Sequence, residues 1–478
     1  MRVLFALILF LITFSATAET VTLTGLAPAE IGNTAKLLRI QDYISNKTET
    51  IAESQVLTDS TFTIIFDETE TYEAMLQIGN SYGYIYIQPG GSYKLLYPSV
   101  QNQGKSMRMN NISLIFEELP DTSDANFQIL DYNYRLDGFL GNTFDFIANP
   151  EWHQRLENFK SRMAPIYRDE SDFVKQYITY SVAEIEQIGH MKTDVRKSKS
   201  IIFGTYFHEK PILYNNVNYM KLFNQFYSKA FAQAPTTLEK RLYKAVMLEQ
   251  RDTLMHLLEK DNYMKNEQLR ELILIKALSE VHRGGEYPKK NIENILTDIE
   301  QNSKYKEHMV IAANVKRKLI KLQRGSLAPE LTLKNQFGET VKLSDFKGKY
   351  VYLTFYQESF TKAVAEMKII PQLIERYGDK EHIEIISICF DENEEDMKAF
   401  VKENKDFTWN FLHAGYDEEL IELYDIRDFP KYVLLDDKGR ILQSTAYAPT
   451  PSGNQISIDK TFFEINKRYE WEAIRGGN

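Results

Sequence analysis

Cysteine is nearly absent: Cys389 is the only one in 478 residues. A lone thiol excludes any intrachain disulfide, so stability has to come from hydrophobic cores. Basic residues are not in excess either. The 57 Lys and Arg stand against 67 Asp and Glu, a formal charge of -10, and this argues against a nucleic-acid partner, because phosphate binding needs a concentrated basic surface. The nearest approach to a basic cluster, Lys192, Arg196, Lys197 and Lys199, reads as a solvated helix end. Long apolar runs are missing as well. The stretch from Val3 to Phe14 is shorter than the ~20 residues that span a bilayer, and no later segment is apolar enough to serve as a transmembrane segment.

What is present is the composition of a folded protein, with 43% hydrophobic and 13% aromatic residues and charges mixed along the chain. At this length about three domains of ~100–200 residues each are expected. Arg2, the apolar run after it and the small-residue stretch Ser15-Ala16-Thr17-Ala18 read as a secretory signal peptide over 1–18. The mature chain is then expected to start near Glu19 and to work in the periplasm or cell envelope. A lipoprotein would need a cysteine at the cleavage point, and that position has none.

Residues 19–120 alternate apolar and polar positions in short runs, as in Thr61-Phe62-Thr63-Ile64-Ile65-Phe66 and Tyr84-Ile85-Tyr86-Ile87. Turn residues punctuate them at Gly32-Asn33, Asp59-Ser60, Gly79-Asn80 and Pro89-Gly90-Gly91. Period-two patterning with regular turns predicts an antiparallel β-sandwich. From 125 to 322 the period becomes helical. Val174, Ile178, Val182, Ile185 and Ile188 fall on one face, and Asn266 is placed to cap the helix that carries Leu269, Leu272 and Ile273. The dense aromatics Tyr206, Phe207, Tyr214, Tyr219, Phe223, Phe226 and Tyr227 stand at helical spacing and read as core.

The third region, 326–478, carries the specific signal. Ser326-Leu327-Ala328-Pro329-Glu330-Leu331-Thr332-Leu333 and then Phe337-Gly338-Glu339-Thr340-Val341-Lys342-Leu343-Ser344-Asp345-Phe346-Lys347-Gly348-Lys349 resemble the entrance of the TlpA-like and AhpC/TSA-related thioredoxin superfamily. A hairpin turns through Asn335 to Gly338 and leads into a central strand ending at Phe355. After it come a helix to about Tyr377, a strand from Ile383 to Phe390, a helix from Glu394 to Asn404 and a short helix from Glu418 to Tyr424. Strands Tyr432 to Leu435 and Arg440 to Ser444 and a final helix from about Asp459 complete the α/β plan. The fold class expected for the whole chain is multidomain α+β: a β-sandwich, a helical middle domain and a thioredoxin-like α/β domain. The first of these also resembles the small N-terminal β-domains that precede thioredoxin-like domains in secreted Bacteroidetes proteins, on its layout and the turn Gln88-Pro89-Gly90.

The resemblance implies a Cys-x-x-Cys pair at the start of the helix after the central strand, where helix dipole and free N–H groups lower a thiol's pKa. Anchored on Glu366-Met367, which resemble the family's Glu-Met, those two positions are Phe360 and Ala363. A peroxiredoxin-like register keeps Thr361 but sets Val364 at the cysteine position and Gln357 at the family's proline. Neither register contains a nucleophilic thiol. Ser359 and Thr361 read as N-cap residues, and Cys389, inside Ile385-Ile386-Ser387-Ile388-Cys389-Phe390, reads as a buried strand residue.

Ile426-Arg427-Asp428-Phe429-Pro430 resembles the cis-proline loop that offers backbone to an extended peptide. Phe360, Thr361, Phe429 and Pro430 are therefore the candidate binding residues. Asp391-Glu392-Asn393-Glu394-Glu395-Asp396 reads as an acidic helix start, not a calcium loop. His382 and His413 lack partners at metal-ligand spacing, so no metal and no cofactor are expected. The expected function is a redox-inactive peptide-binding or scaffold protein with a protein partner in the envelope. The alternative is a thiol-disulfide or peroxide reductase working through Cys389 or a partner's thiols.

Overall fold

The structure is a computed structural model that describes residues 18–98, 110–141, 151–191, 195–377, 382–391, 393–415, 417–451 and 456–476. The expected signal peptide, apart from Ala18, lies outside the described residues, as do Lys192 and Glu392. The chain forms two compact units. The first runs to Glu280 and takes in Asn302–Ile311, while the second takes in Val281–Gln301 and the chain from Ala312 onward.

Among the described residues nine strands open the first unit: β1 (Glu19–Leu26), β2 (Thr34–Asp42), β3 (Lys47–Gln55), β4 (Thr61–Glu68), β5 (Tyr72–Ile78), β6 (Ser81–Ile87), β7 (Ser92–Leu96), β8 (Asn110–Asn111) and β9 (Ile115–Phe116). They make a sheet in the order β4-β1-β7-β9 and another in the order β3-β2-β5-β6-β8. Alternate residues point inward, as the two-residue period demands. Val21, Leu23, Phe62, Ile64, Tyr93 and Leu95 of one sheet and Tyr72, Leu76, Ile85 and Ile87 of the other belong to one hydrophobic cluster. The expected all-antiparallel pairing fails at two places, because β1 runs parallel to β7 and β6 parallel to β8. In both pairs the later strand returns after a crossover, which no local pattern encodes. At the expected turn after β6, Gly91 N donates to Gln88 O at 3.0 Å. Gly90 there has φ +72°, the left-handed conformation that a type II turn requires after its proline.

Among the described residues eleven helices follow along the chain: α1 (Ala125–Gly141), α2 (Glu151–Met163), α3 (Asp172–Ser181), α4 (Ala183–Met191), α5 (Val195–Tyr206), α6 (Val217–Phe226), α7 (Thr236–Met247), α8 (Arg251–Leu258), α9 (Glu267–Gly284), α10 (Lys289–Asn302) and α11 (Lys306–Ile320), of which α10 as far as Gln301 and α11 from Ala312 onward belong to the second unit. The first helix is stitched to the strands. The Asn126 side-chain amide accepts from Tyr86 N at 2.8 Å and donates to Tyr86 O at 2.7 Å, and Tyr93 OH donates to Asp124 at 3.2 Å. Strands and helices share a compact unit partly through these bonds. Asn266 caps α9 as expected, with its Oδ1 accepting from Leu269 N at 2.9 Å. Tyr206, Phe207, Tyr219, Phe223, Phe226 and Tyr227 are buried core. Lys199 lies over the rings of Phe226 and Tyr263, at 5.4 and 5.0 Å from their centroids. A polar tie is buried between helices: His308 Nδ1 donates to Glu271 at 2.8 Å, and Tyr214 OH meets His308 Nε2 at 2.8 Å.

Among the described residues the second unit holds seven strands, β10 (Thr332–Asn335), β11 (Thr340–Lys342), β12 (Tyr350–Tyr356), β13 (Ile383–Cys389), β14 (Asn410–His413), β15 (Lys431–Leu435) and β16 (Ile441–Gln443). Their order is β11-β10-β14-β13-β12-β15-β16. β12, β13 and β14 are parallel, and β15 runs antiparallel to β12. Helices α12 (Thr361–Met367), α13 (Ile370–Tyr377), α14 (Glu394–Glu403), α15 (Glu418–Leu423) and α16 (Ile458–Gly476) complete it. All of β12 is buried, because both faces of this sheet are covered. Tyr352 and Tyr356 join a cluster with Met367, Leu373, Met397 and Phe462, while Leu353 and Phe355 join one with Leu420, Tyr424 and Phe429. On the first face Thr354 Oγ1 and Ser387 Oγ are 2.7 Å apart, and Trp409 Nε1 donates to Ser387 Oγ at 2.8 Å, so these three buried groups satisfy one another.

The expected order of elements is corrected at two places. The single helix drawn to Tyr377 is two, α12 and α13, with Pro371 in the first turn of the second, where a residue without an N–H is tolerated. Strand β14 was not expected at all. Among the described residues no helix is long and apolar enough to cross a membrane.

Candidate functional site

The site lies where β12 gives way to α12, opposite the loop that precedes β15. The chain leaves β12 at Tyr356 and enters α12 with Phe360 as N-cap, in extended geometry at φ -91° and ψ 97°. The N-cap residue's own side chain makes no capping bond, and neither Ser359 nor Thr361 holds the N-cap position, which corrects the expectation for both. The cap position falls on Phe360 between them, and Thr361 is already the first helical residue. Ala363, three residues on, is fully buried under the sheet, whereas Phe360 is half-buried and Thr361 exposed. The outer position thus holds a phenyl ring and the covered one a methyl group. Val364, the alternative position, packs against the same core as Ala363.

Across from Phe360 stands Phe429, buried to 5% exposure, with its ring edge-on to Phe360 at 5.4 Å and tilted against Phe390 at 5.4 Å. Phe390 in turn meets Phe355 at 6.3 Å. This aromatic file gives the site an apolar floor. The Phe429–Pro430 bond is cis, and Pro430 is half-buried beside it. The structure thus brings Phe360, Thr361, Phe429 and Pro430 to one place. Cys389 is not among them and stands at the end of β13, opposite Tyr356.

Cys389 is wholly buried, and its Sγ donates to Asp391 Oδ2 at 3.2 Å. Burial, and then the negative Asp391 carboxylate, hold the thiol well above its ordinary pKa. It therefore stays protonated at neutral pH, and the thiol form is a poor nucleophile. Asp391 escaped the sequence reading, which counted it as the start of an acidic helix. Its carboxylate instead accepts from Glu358 N at 3.0 Å as well as from the thiol, and its carbonyl accepts from His413 Nε2 at 2.9 Å. A carbonyl only accepts, so His413 carries its proton on Nε2. The acidic first turn of α14 consists of Glu394, Glu395 and Asp396. His382 stacks on Tyr469 at 4.2 Å. Glu366, the carboxylate that anchored the register, is buried and accepts from Tyr432 OH. Among the described residues no three His, Cys, Asp or Glu side chains gather as a metal site would need.

The AhpC/TSA family model matches residues 325–444. Over 124 residues the chain is 31% identical to the thiol-disulfide oxidoreductase ResA of Bacillus thuringiensis subsp. konkukian, covering 26% of this chain and 69% of that protein. It is 32% identical over 135 residues to the peroxiredoxin Bcp of Bacillus subtilis, covering 26% and 83%. Among solved structures, the thioredoxin domain of a thiol-disulfide oxidoreductase from Bacteroides vulgatus aligns at 28% identity, over 30% of this chain and 97% of that one, with a TM-score of 0.25. By its C-terminal domain the chain belongs to the AhpC/TSA family, as a TlpA-like protein of the thioredoxin superfamily.

Proposed function

We propose that this protein is an exported, redox-inactive member of its family that binds an extended segment of a partner protein in the periplasm or cell envelope. The reading is supported by Phe360 and Ala363, which the family resemblance sets at the two thiol positions, and by the observation that the Phe360 ring packs edge-on against Phe429. The groove formed by Phe360, Thr361, Phe429 and Pro430 holds the peptide, with the rings supplying an apolar floor and the loop backbone supplying hydrogen bonds. The organisation that goes with it is a leader over 1–18, a β-sandwich over 19–120, a helical domain over 125–322 and a thioredoxin-like domain over 326–478. Two sheets with one shared core support the sandwich.

The names of the relatives favour a second reading, a thiol-disulfide or peroxide reductase acting through Cys389 or a partner's thiols. The burial of Cys389 weighs against its own part in that chemistry.

Peptide capture is tested with a labelled, S-carboxymethylated insulin B chain, an unfolded polypeptide without free thiols, followed by fluorescence anisotropy. Saturable binding that weakens about tenfold in Phe360→Ala is expected, since a partly buried ring at the centre of a contact contributes at least ~1 kcal/mol. Absence of binding by the unmodified chain would sink the groove reading.

A further inference from the structure

We propose, on the strength of the groove reading above, that Asp428 is a built-in competitor for the groove, its carboxylate occupying the backbone donor that an incoming peptide strand needs. Phe429 N–H donates to Asp428 Oδ1 at 2.9 Å. The donor has no substitute nearby: Pro430 carries no N–H, and Lys431 already belongs to β15, opposite Phe355. Phe429 is therefore the last residue before the ladder whose N–H can meet a peptide carbonyl.

The two partners are held very differently. The Phe429 ring is buried between Phe360 and Phe390, so the donor is fixed in place. Asp428 is exposed and, among the described residues, makes no ion pair. The adjacent guanidinium is engaged elsewhere, with Arg427 Nε donating to Asp425 at 2.9 Å. A rigid donor closed by a solvent-facing, otherwise untethered carboxylate is a latch that swings out to water when a strand arrives. Binding then competes with the latch, and the apparent affinity falls by the fraction of time the donor is open. For an exposed hydrogen bond of ordinary net strength, that is about threefold to tenfold.

The experiment uses the full chain and the same S-carboxymethylated insulin B chain, with hydrogen exchange of the segment spanning Phe429 measured alongside. Asp428→Ala is expected to bind the probe about threefold to tenfold more tightly and to exchange faster at this segment when free. Asp428→Asn, whose amide oxygen still accepts, is expected to stay within about twofold of the unmodified chain. If the unmodified chain binds and Asp428→Ala binds equally well or more weakly, the latch is refuted and the groove stands. If neither protein binds, the groove reading fails and the latch fails with it.

Discussion

Putting the missing pair back is the most demanding use of the site's geometry. In Phe360→Cys/Ala363→Cys, one sulfur enters at the N-cap of α12 and the other three residues later, at a position that is wholly buried. Losing the Phe360 ring gives up its edge-on contact with Phe429, about 0.5–1.5 kcal/mol, and part of a buried aromatic surface. A sulfur placed at Ala363 overpacks the space among Tyr356, Met367 and Ile370, for about 1–3 kcal/mol. The combined cost of roughly 2–5 kcal/mol lies below the 5–15 kcal/mol typical of a folded domain, so the variant should fold. Thiol titration with and without oxidant, and turbidity in an insulin-reduction assay, then read the chemistry. The expected result is a reversible disulfide and turnover where the unmodified chain gives none. Phe360→Cys/Val364→Cys is the control and should do neither. A folded Phe360→Cys/Ala363→Cys protein whose thiols never pair would refute the assignment of these two positions.

Three further outcomes follow from the same structure. Cys389 should resist iodoacetamide in the native protein and react at least about a thousandfold faster in urea, because a buried, protonated thiol is alkylated only through opening; equal rates would show it exposed. Glu73, raised from 4.5 to about 7 by burial, accepts from Tyr86 OH at 3.2 Å. Its folded pKa lies above the unfolded one, so folded Glu73 keeps its proton to higher pH and stability falls as pH rises from about 4.5 to 7. Glu73→Gln should therefore gain about 2 kcal/mol over the parent at pH 8 and nothing at pH 4, measured by urea unfolding, a figure already discounted for the group's partial exposure. Asn126→Ala, which leaves both backbone groups of Tyr86 without their amide partner, should cost about 1–3 kcal/mol in the same assay.

The legible parts of the chain are those whose signal is local. Alternation in Tyr84 to Ile87 places β6, and Asn266 marks the start of α9, because period and cap chemistry are written within a few residues. Counting back from Glu366 gives Phe360 and Ala363, which the structure puts at the helix cap and under the sheet; that these are the family's thiol positions is the proposal the double-cysteine variant tests. Non-local features escape. The parallel pairing of β1 with β7 depends on a crossover. β14 has only four residues, and its place is set by neighbours on both sides, β13 and β10. Asp391 looks like any acidic helix start, and only the fold brings Glu358, Cys389 and His413 around it. The break between α12 and α13 could have been read, since Pro371 inside an expected helix marks a first turn.

The central claim is that this thioredoxin-like domain does no thiol chemistry of its own. The most direct test is insulin reduction and peroxide consumption by the unmodified chain, run beside Cys389→Ala and an active TlpA-like control. The account predicts no turnover above buffer from either form while the control works. Turnover that disappears with Cys389→Ala would contradict it and make Cys389 the working thiol.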